Sequence, residues 1–178
     1  MDSPDRNDQL DRIEKRIDLQ ASTERVWQAL TDHREFGKWF GVVLDQPFTP
    51  GETVTGTFHM HFDEARIMAH QRALGVPPSG IRPIAPNTVF CTVERMDAPH
   101  AFSFRWIPYG IDADCDPAGE ATTLVEFTLE EQGAGTRLTI VESGFSRVPE
   151  HRRLRAFRMN EGGWAAQAEN IRRHVDAG

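Results

Sequence analysis

The chain has 178 residues, enough for one domain with a sizeable core. Its 39% hydrophobic and 26% charged residues fit a soluble globular protein, and the formal charge of −7 excludes a general nucleic-acid binder, which needs a positive footprint. The same charge argues against docking on an anionic membrane surface, and no apolar run approaches the roughly 20 residues that cross a bilayer.

The opening MDSPDRNDQLDR is polar and acidic and lacks the apolar segment of a signal peptide. Residues 1–10 therefore read as a flexible tail, and 11–178 as a single domain. Cys91 and Cys115 form no disulfide framework, and two reduced thiols place the chain in the cytoplasm.

Residues 12–20 alternate (Ile13, Lys15, Ile17, Leu19) and predict a first strand. Ser22 is a suitable N-cap for a helix carrying Val26, Trp27 and Leu30 on one face. A second short helical turn carries Phe36, Trp39 and Phe40, broken by Gly37 and ended near Gly41. Residues 54–62 form the clearest strand. Val54, Phe58, Met60 and Phe62 face one side, and Thr55, Thr57, His59 and His61 the other. From Asp63 a short helix runs to Leu74 and stops at Gly75. Pro77, Pro78, Pro83 and Pro86 make the rest of 63–86 a loop, the expected insertion or lid.

Val89, Cys91 and Val93 mark the next strand, with a turn at Pro99. Phe102, Phe104 and Trp106 form a same-face aromatic row, followed by a loop from Pro108 to Glu120. Strands over 122–131 (Val125, Phe127 and Leu129 inward) and 136–142 (Leu138 and Ile140 inward) make an antiparallel hairpin about Gly133-Ala134-Gly135. Ser146 is the expected cap of a long helix with Pro149 in its first turn. Leu154, Phe157, Glu161, Trp164, Ala168, Ile171 and Val175 recur at spacings of three and four, one stripe along that helix. Gly162-Gly163 inside it costs about 2 kcal/mol relative to alanine, which points to a local role. The order is strand, two short helices, about six strands and one long helix. It predicts an α+β fold in which a curved antiparallel sheet wraps the C-terminal helix.

That order, with the segments Ala21–Leu30 (ASTERVWQAL), Thr123–Glu131 (TLVEFTLEE), Thr136–Phe145 (TRLTIVESGF) and Arg158–Asn170 (RMNEGGWAAQAEN), resembles the helix-grip fold of the START-like (SRPBCC) superfamily. Within it the chain is similar to the group homologous to the C-terminal domain of the activator of the ninety-kilodalton heat-shock protein ATPase. The resemblance implies a fold and a cavity. Relatives bind lipids, polyketides, hormones and other hydrophobic molecules, and a minority are cyclases or other enzymes. The eukaryotic activator carries a further N-terminal domain for which this chain has no room, so a chaperone partner is not expected.

The expected ligand is a small hydrophobic or aromatic molecule held between sheet and helix. Phe58, Met60, Phe104, Trp106, Phe127 and Trp164 would line the cavity, and Trp39 with the 63–86 segment would gate it. Glu142 and Glu161 would orient the ligand's polar end. In a cyclase or hydrolase, one of them would be the base. No catalytic residue is assigned and no cofactor is expected. A homodimer through an exposed strand edge is compatible with the sequence. His59, His61 and His70 lie with Thr55 and Thr57 on the solvent face and lack zinc spacing. Asp112, Asp114 and Asp116 open like a calcium loop but fail at Pro117 and Thr123. Arg152, Arg153, Arg155 and Arg158 read as a solvated helix face with local ion pairs.

Overall fold

A computed structural model describes residues 11–59 and 61–176, so Met60 and the N-terminal tail lie outside the described residues. Strand β1 (Arg12–Leu19) buries Ile13, Ile17 and Leu19, as its alternation requires. Helix α1 (Thr23–Thr31) starts where Ser22 Oγ accepts the Arg25 N–H at 3.3 Å. Helix α2 (His33–Phe40) starts at Asp32, whose carboxylate accepts the N–H groups of Arg34 and Glu35, and it ends at Gly41 with φ 99°. Gly37 does not break α2. It lets the Val42 carbonyl approach so closely that a Cβ would collide with it.

Strands β2 (Val42–Leu44), β3 (Thr53–Phe58), β4 (Thr88–Asp97), β5 (Ala101–Trp106), β6 (Thr123–Gln132) and β7 (Gly135–Ser143) complete a seven-stranded antiparallel sheet. Its order is β1-β7-β6-β5-β4-β3-β2. Helix α3 (Glu64–Ala73) interrupts the strands after β3, with Asp63 as its cap. Helix α4 (Glu150–Asp176) closes the described chain and packs on β1, α1 and α2. This is the α+β helix-grip arrangement.

Three local expectations change. The strand after Gly51 ends at Phe58 rather than Phe62, because its partner β2 offers only three residues and runs out there. In β4 the register slips between Val54↔Cys91 and Thr55↔Val89, so one step on β3 faces two on β4. That bulge buries Phe90 and Cys91 in succession and turns Val89 outward, 63% exposed. Ser146 belongs to a 3-10 turn (Phe145–Arg147), and α4 begins only after Pro149, whose carbonyl accepts the Arg152 N–H.

The core is a run of rings under the sheet. Phe102 stacks on Phe127 at 5.8 Å, Phe104 sits 5.8 Å from Phe102, and Phe36 meets Phe48 and Phe90 edge-on. Such offset and edge contacts are the favoured ring geometries.

Candidate functional site

A cavity of about 450 Å³ opens at one end of this core, where the last residues of β3 and β5 and the start of β4 meet the middle of α4. Phe58, Phe90, Trp106, Trp164 and Phe40 form its ring-lined side, and Met159, Asn160, Gly163 and Gln167 come from α4. Trp106 and Trp164 lie 5.6 Å apart, inclined by 33°, and Phe40 stands 5.9 Å from Trp106. Phe62, Arg82 and Ile84 close one flank, and residues 107–111 with Pro117 close another.

The sequence-derived residues divide into two groups. Phe58, Trp106 and Trp164 line the cavity. Trp39, Phe104 and Phe127 do not. All three are buried in the packed core, and Trp39 donates its indole N–H to the Ala29 carbonyl at 2.9 Å, so it cannot act as a gate. Around these three residues the space expected between sheet and helix is filled by the protein's own rings, and the cavity lies at one end of the core.

Glu142 sits behind the ring wall with 0% exposure. Its Oε2 accepts the Trp106 indole N–H at 2.7 Å and the Thr123 hydroxyl at 2.6 Å. Its Oε1 accepts the Trp164 indole N–H at 2.9 Å, and the Asn160 amide bridges both oxygens at 2.9 and 3.2 Å. Every one of these donors is neutral. Burial raises the Glu142 carboxyl above its ordinary range, and the hydrogen bonds oppose that rise. The carboxylate therefore fixes the angle of two wall rings. Glu161, by contrast, is turned to solvent and pairs with Arg158 at 3.5 Å, with both side chains 41% exposed. Asn160, three residues after Phe157 and four before Trp164, takes the inward position that the stripe had assigned to Glu161. Leu154 also falls at the stripe's edge and is 38% exposed.

The flank at 107–117 is anchored by charges that the sequence assigned to a solvated face. Arg152 and Arg155 are buried instead, because the Asp-rich loop folds over that side of α4. Arg155 Nε donates to Asp112 at 3.0 Å, and its Nη2 reaches Asp112 and Asp114. Arg152 donates to Glu120 at 3.1 Å and to the Pro108 carbonyl at 3.0 Å. Asp112, itself fully buried, also accepts the Ser79 hydroxyl at 2.7 Å. Gln71, from α3, donates to the Tyr109 hydroxyl at 3.0 Å and accepts the Ser79 N–H at 2.7 Å. The 63–86 segment is thus tied to the 108–114 loop and, through Arg155 and the Pro77 carbonyl, to α4.

Tyr109 lines the cavity with φ 48°, a left-handed backbone that only surrounding contacts can maintain in a non-glycine residue. Burial, and then the neighbouring Asp112 charge, pushes its hydroxyl up to about 12, so it remains a proton donor. Arg82 and Tyr109 are cavity residues that the alternation rules missed, since both lie in irregular segments. The one usable signal was a cation among the prolines and a lone tyrosine in the loop.

His59, His61 and His70 are exposed. Among the described residues no group of three or more histidines, cysteines or acids is placed to hold a metal ion, and no helix is long and apolar enough to cross a membrane.

Residues 20–176 match the family described as Activator of Hsp90 ATPase homolog 1-like protein. The chain belongs to that family. No curated protein matches it. Among solved structures the fold of this Activator of Hsp90 ATPase homolog 1-like chain is similar to protein Ms6760 from Mycobacterium smegmatis, with TM-score 0.63, 19% identity, and coverage of 100% of this chain and 98% of that one. It is also similar to the Aha1 dimer from Colwellia psychrerythraea, with TM-score 0.59, 17% identity, and coverage of 94% and 97%. A third neighbour is DynU16, a putative protein in the dynemicin biosynthetic locus, with TM-score 0.60 and 20% identity. That match covers 98% of this chain, which spans 49% of the DynU16 chain. Likeness at these identities is a likeness of fold.

Proposed function

We propose that this chain binds a small hydrophobic or aromatic molecule in the cavity bounded by the ends of β3–β5, the middle of α4 and the 107–117 loop. The observation that carries the reading is the ring-lined space of about 450 Å³ beside a core that is otherwise filled. Apolar walls with a few polar groups are what such sites require. The second support is the caged Glu142, which holds Trp106 and Trp164 in place with one carboxylate oxygen each. Preorganised rings lower the ordering cost of binding. The third is Gly163, which lines the cavity where an added Cβ would meet nothing within 4 Å. A helix that tolerates two interior glycines there keeps the mouth open.

A cyclase or hydrolase centred on Glu142 or Glu161 finds less support. A base must reach the substrate proton, whereas Glu142 is shielded by the rings it orients and Glu161 faces water. The family's description invites a chaperone-ATPase role, but the feature on which this reading rests is a cavity rather than a docking patch. The sheet ends at β1 and β2, where a second copy of the chain could add a strand. Native mass spectrometry reads that state and any small molecule that travels with the protein.

The test uses N-phenyl-naphthylamine, an uncharged dye that brightens in apolar surroundings. Wild-type protein should enhance its emission and transfer energy from Trp106 and Trp164, with a dissociation constant on the order of ten to a few hundred micromolar. Gly163→Phe should weaken binding about tenfold or more without lowering the urea midpoint. A folded wild type that leaves the dye dark, or a Phe variant that binds it equally well, would overturn the reading.

A further inference from the structure

Two chambers share a wall that carries one cation. Beside the ring-lined cavity lies a second space of about 480 Å³, bounded by Thr57, Glu64, Ile81, Ala85 and Pro86. Phe58, Phe62, Arg82 and Ile84 border both spaces, so Arg82 is the cationic residue common to the two.

Arg82 differs from the other arginines of this region. Arg152 and Arg155 are surrounded by carboxylates, whereas the side-chain hydrogen bonds of Arg82 go to two backbone carbonyls, those of Gly110 and Pro83. Among the described residues no carboxylate lies within ion-pair distance of it. Its Nε–H points at the Gly110 carbonyl, and its own backbone N–H donates to Ile111 at 2.9 Å. The residue is therefore anchored at its backbone and at Nε. Nη2 has no protein partner among the described residues, and Nη1 makes a single long contact at 3.4 Å to Pro83. That leaves the forked edge that matches two oxygens of a carboxylate.

Among the described residues nothing else that lines the ring-walled cavity carries charge. Glu64, in the second chamber, turns one oxygen to the Ile81 N–H at 3.0 Å. Tyr109 adds a hydroxyl that accepts from Gln71 and still has its own proton to give. A half-buried cation flanked by rings and a phenol, with no carboxylate within ion-pair distance among the described residues, is an arrangement that a ligand anion completes.

Resting on the ligand-binding reading above, we propose that the ligand is a ring-bearing organic acid whose carboxylate is received by Arg82, with Tyr109 as a second donor, while its apolar body lies against Trp106 and Trp164. The net charge of −7 does not oppose this, because Arg82 is the charged side chain that lines the ring-walled cavity among the described residues.

The test is a matched pair of probes with the same two-ring body, naphthoate and naphthalenemethanol, titrated against the full chain by quenching of tryptophan emission. Wild type should bind the acid roughly ten- to a hundred-fold more tightly than the alcohol, as hydrogen bonds to a charged partner imply. Raising sodium chloride should shrink that preference. Arg82→Gln should erase it by weakening the acid far more than the alcohol, and Arg82→Lys should retain part of it. Circular dichroism confirms that each variant is folded. If wild type binds acid and alcohol equally, this inference falls and the cavity reading stands. A preference that persists in folded Arg82→Gln also overturns it. If neither probe binds, the cavity reading falls and this one with it.

Discussion

Trp164 donates its indole N–H to Glu142 Oε1 at 2.9 Å, which ties a ring of the cavity wall to a carboxylate with no exposure to solvent. The same carboxylate holds Trp106 from the other side. One residue of β7 thus sets the shape of a space it does not touch. Glu142→Ala would leave buried donors on Trp106, Thr123, Asn160 and Trp164 without their acceptor. Each orphaned group costs on the order of 1–3 kcal/mol, partly offset by removal of a buried charge, for an expected net loss of about 3 kcal/mol. Urea unfolding measures it. A red-shifted tryptophan emission in the folded variant would report the released rings.

Glu142 also gives stability a pH dependence of unusual sign for a carboxylate. Burial raises its native value above the ordinary 4.5, so the folded protein holds this proton more tightly than the unfolded chain does. In the window between the two values the native state binds more protons, and stability falls as pH rises. The contribution is fully present below 4.5 and is lost as pH climbs through the raised native value. Wild type and Glu142→Gln compared at about pH 5 and about pH 8 isolate the effect. The wild type should lose stability relative to the variant at the higher pH, and a constant difference would show that Glu142 does not titrate between those conditions.

The parts of the fold that were legible are those where one rule governs. The β6–β7 hairpin alternates cleanly because both strands are interior, with one face on the core, and the α4 stripe reads from Phe157 through Trp164 and Ile171 to Val175 because the sheet covers it. The parts that were not legible involve partners far away in sequence. Arg152 and Arg155 look like a wet helix face until Asp112, Asp114 and Glu120 are known to lie over them. Matching the Asp-rich loop to the arginine run was the available clue. The bulge that turns Val89 outward depends on a register no local pattern states. At the site, periodicity separated inward from outward rings but could not distinguish core from cavity. Phe104 and Trp106 share a face, yet only Trp106 borders the space.

The buried charge cluster makes a quantitative contrast with the surface. Asp112 has no exposed side-chain surface and serves Arg155, while Asp18 pairs with Arg137 at 3.2 Å with 63% of its side chain exposed. Asp112→Ala should cost about 3 kcal/mol, because it removes the fully buried carboxylate shared by Arg155 and the Ser79 hydroxyl and leaves Arg155 only the half-exposed Asp114 as counter-charge. Asp18→Ala should cost under about 1 kcal/mol. Since Asp112 also holds Ser79 and the loop bearing Tyr109, the first variant should weaken dye binding even at temperatures where it remains folded. Chemical denaturation and dye titration together test this, and equal costs at both sites would contradict the buried network.

Gly162 and Gly163 separate stability from function on adjacent positions of one helix. An added Cβ meets nothing within 4 Å at either residue, so alanine introduces no clash. Each glycine carries a helix-propensity cost of about 1 kcal/mol, so Gly162→Ala and Gly163→Ala should each stabilise by about that amount, and the double variant by about 2 kcal/mol. Only Gly163 borders the cavity. Phenylalanine at 162 should therefore leave dye affinity unchanged, whereas phenylalanine at 163 should reduce it, although the two changes add the same side chain one residue apart. Thermal unfolding reads the first effect and fluorescence titration the second. Equal binding by the two phenylalanine variants would mean that the glycine pair has no part in keeping the mouth clear, and its cost to the helix would then have no structural reason.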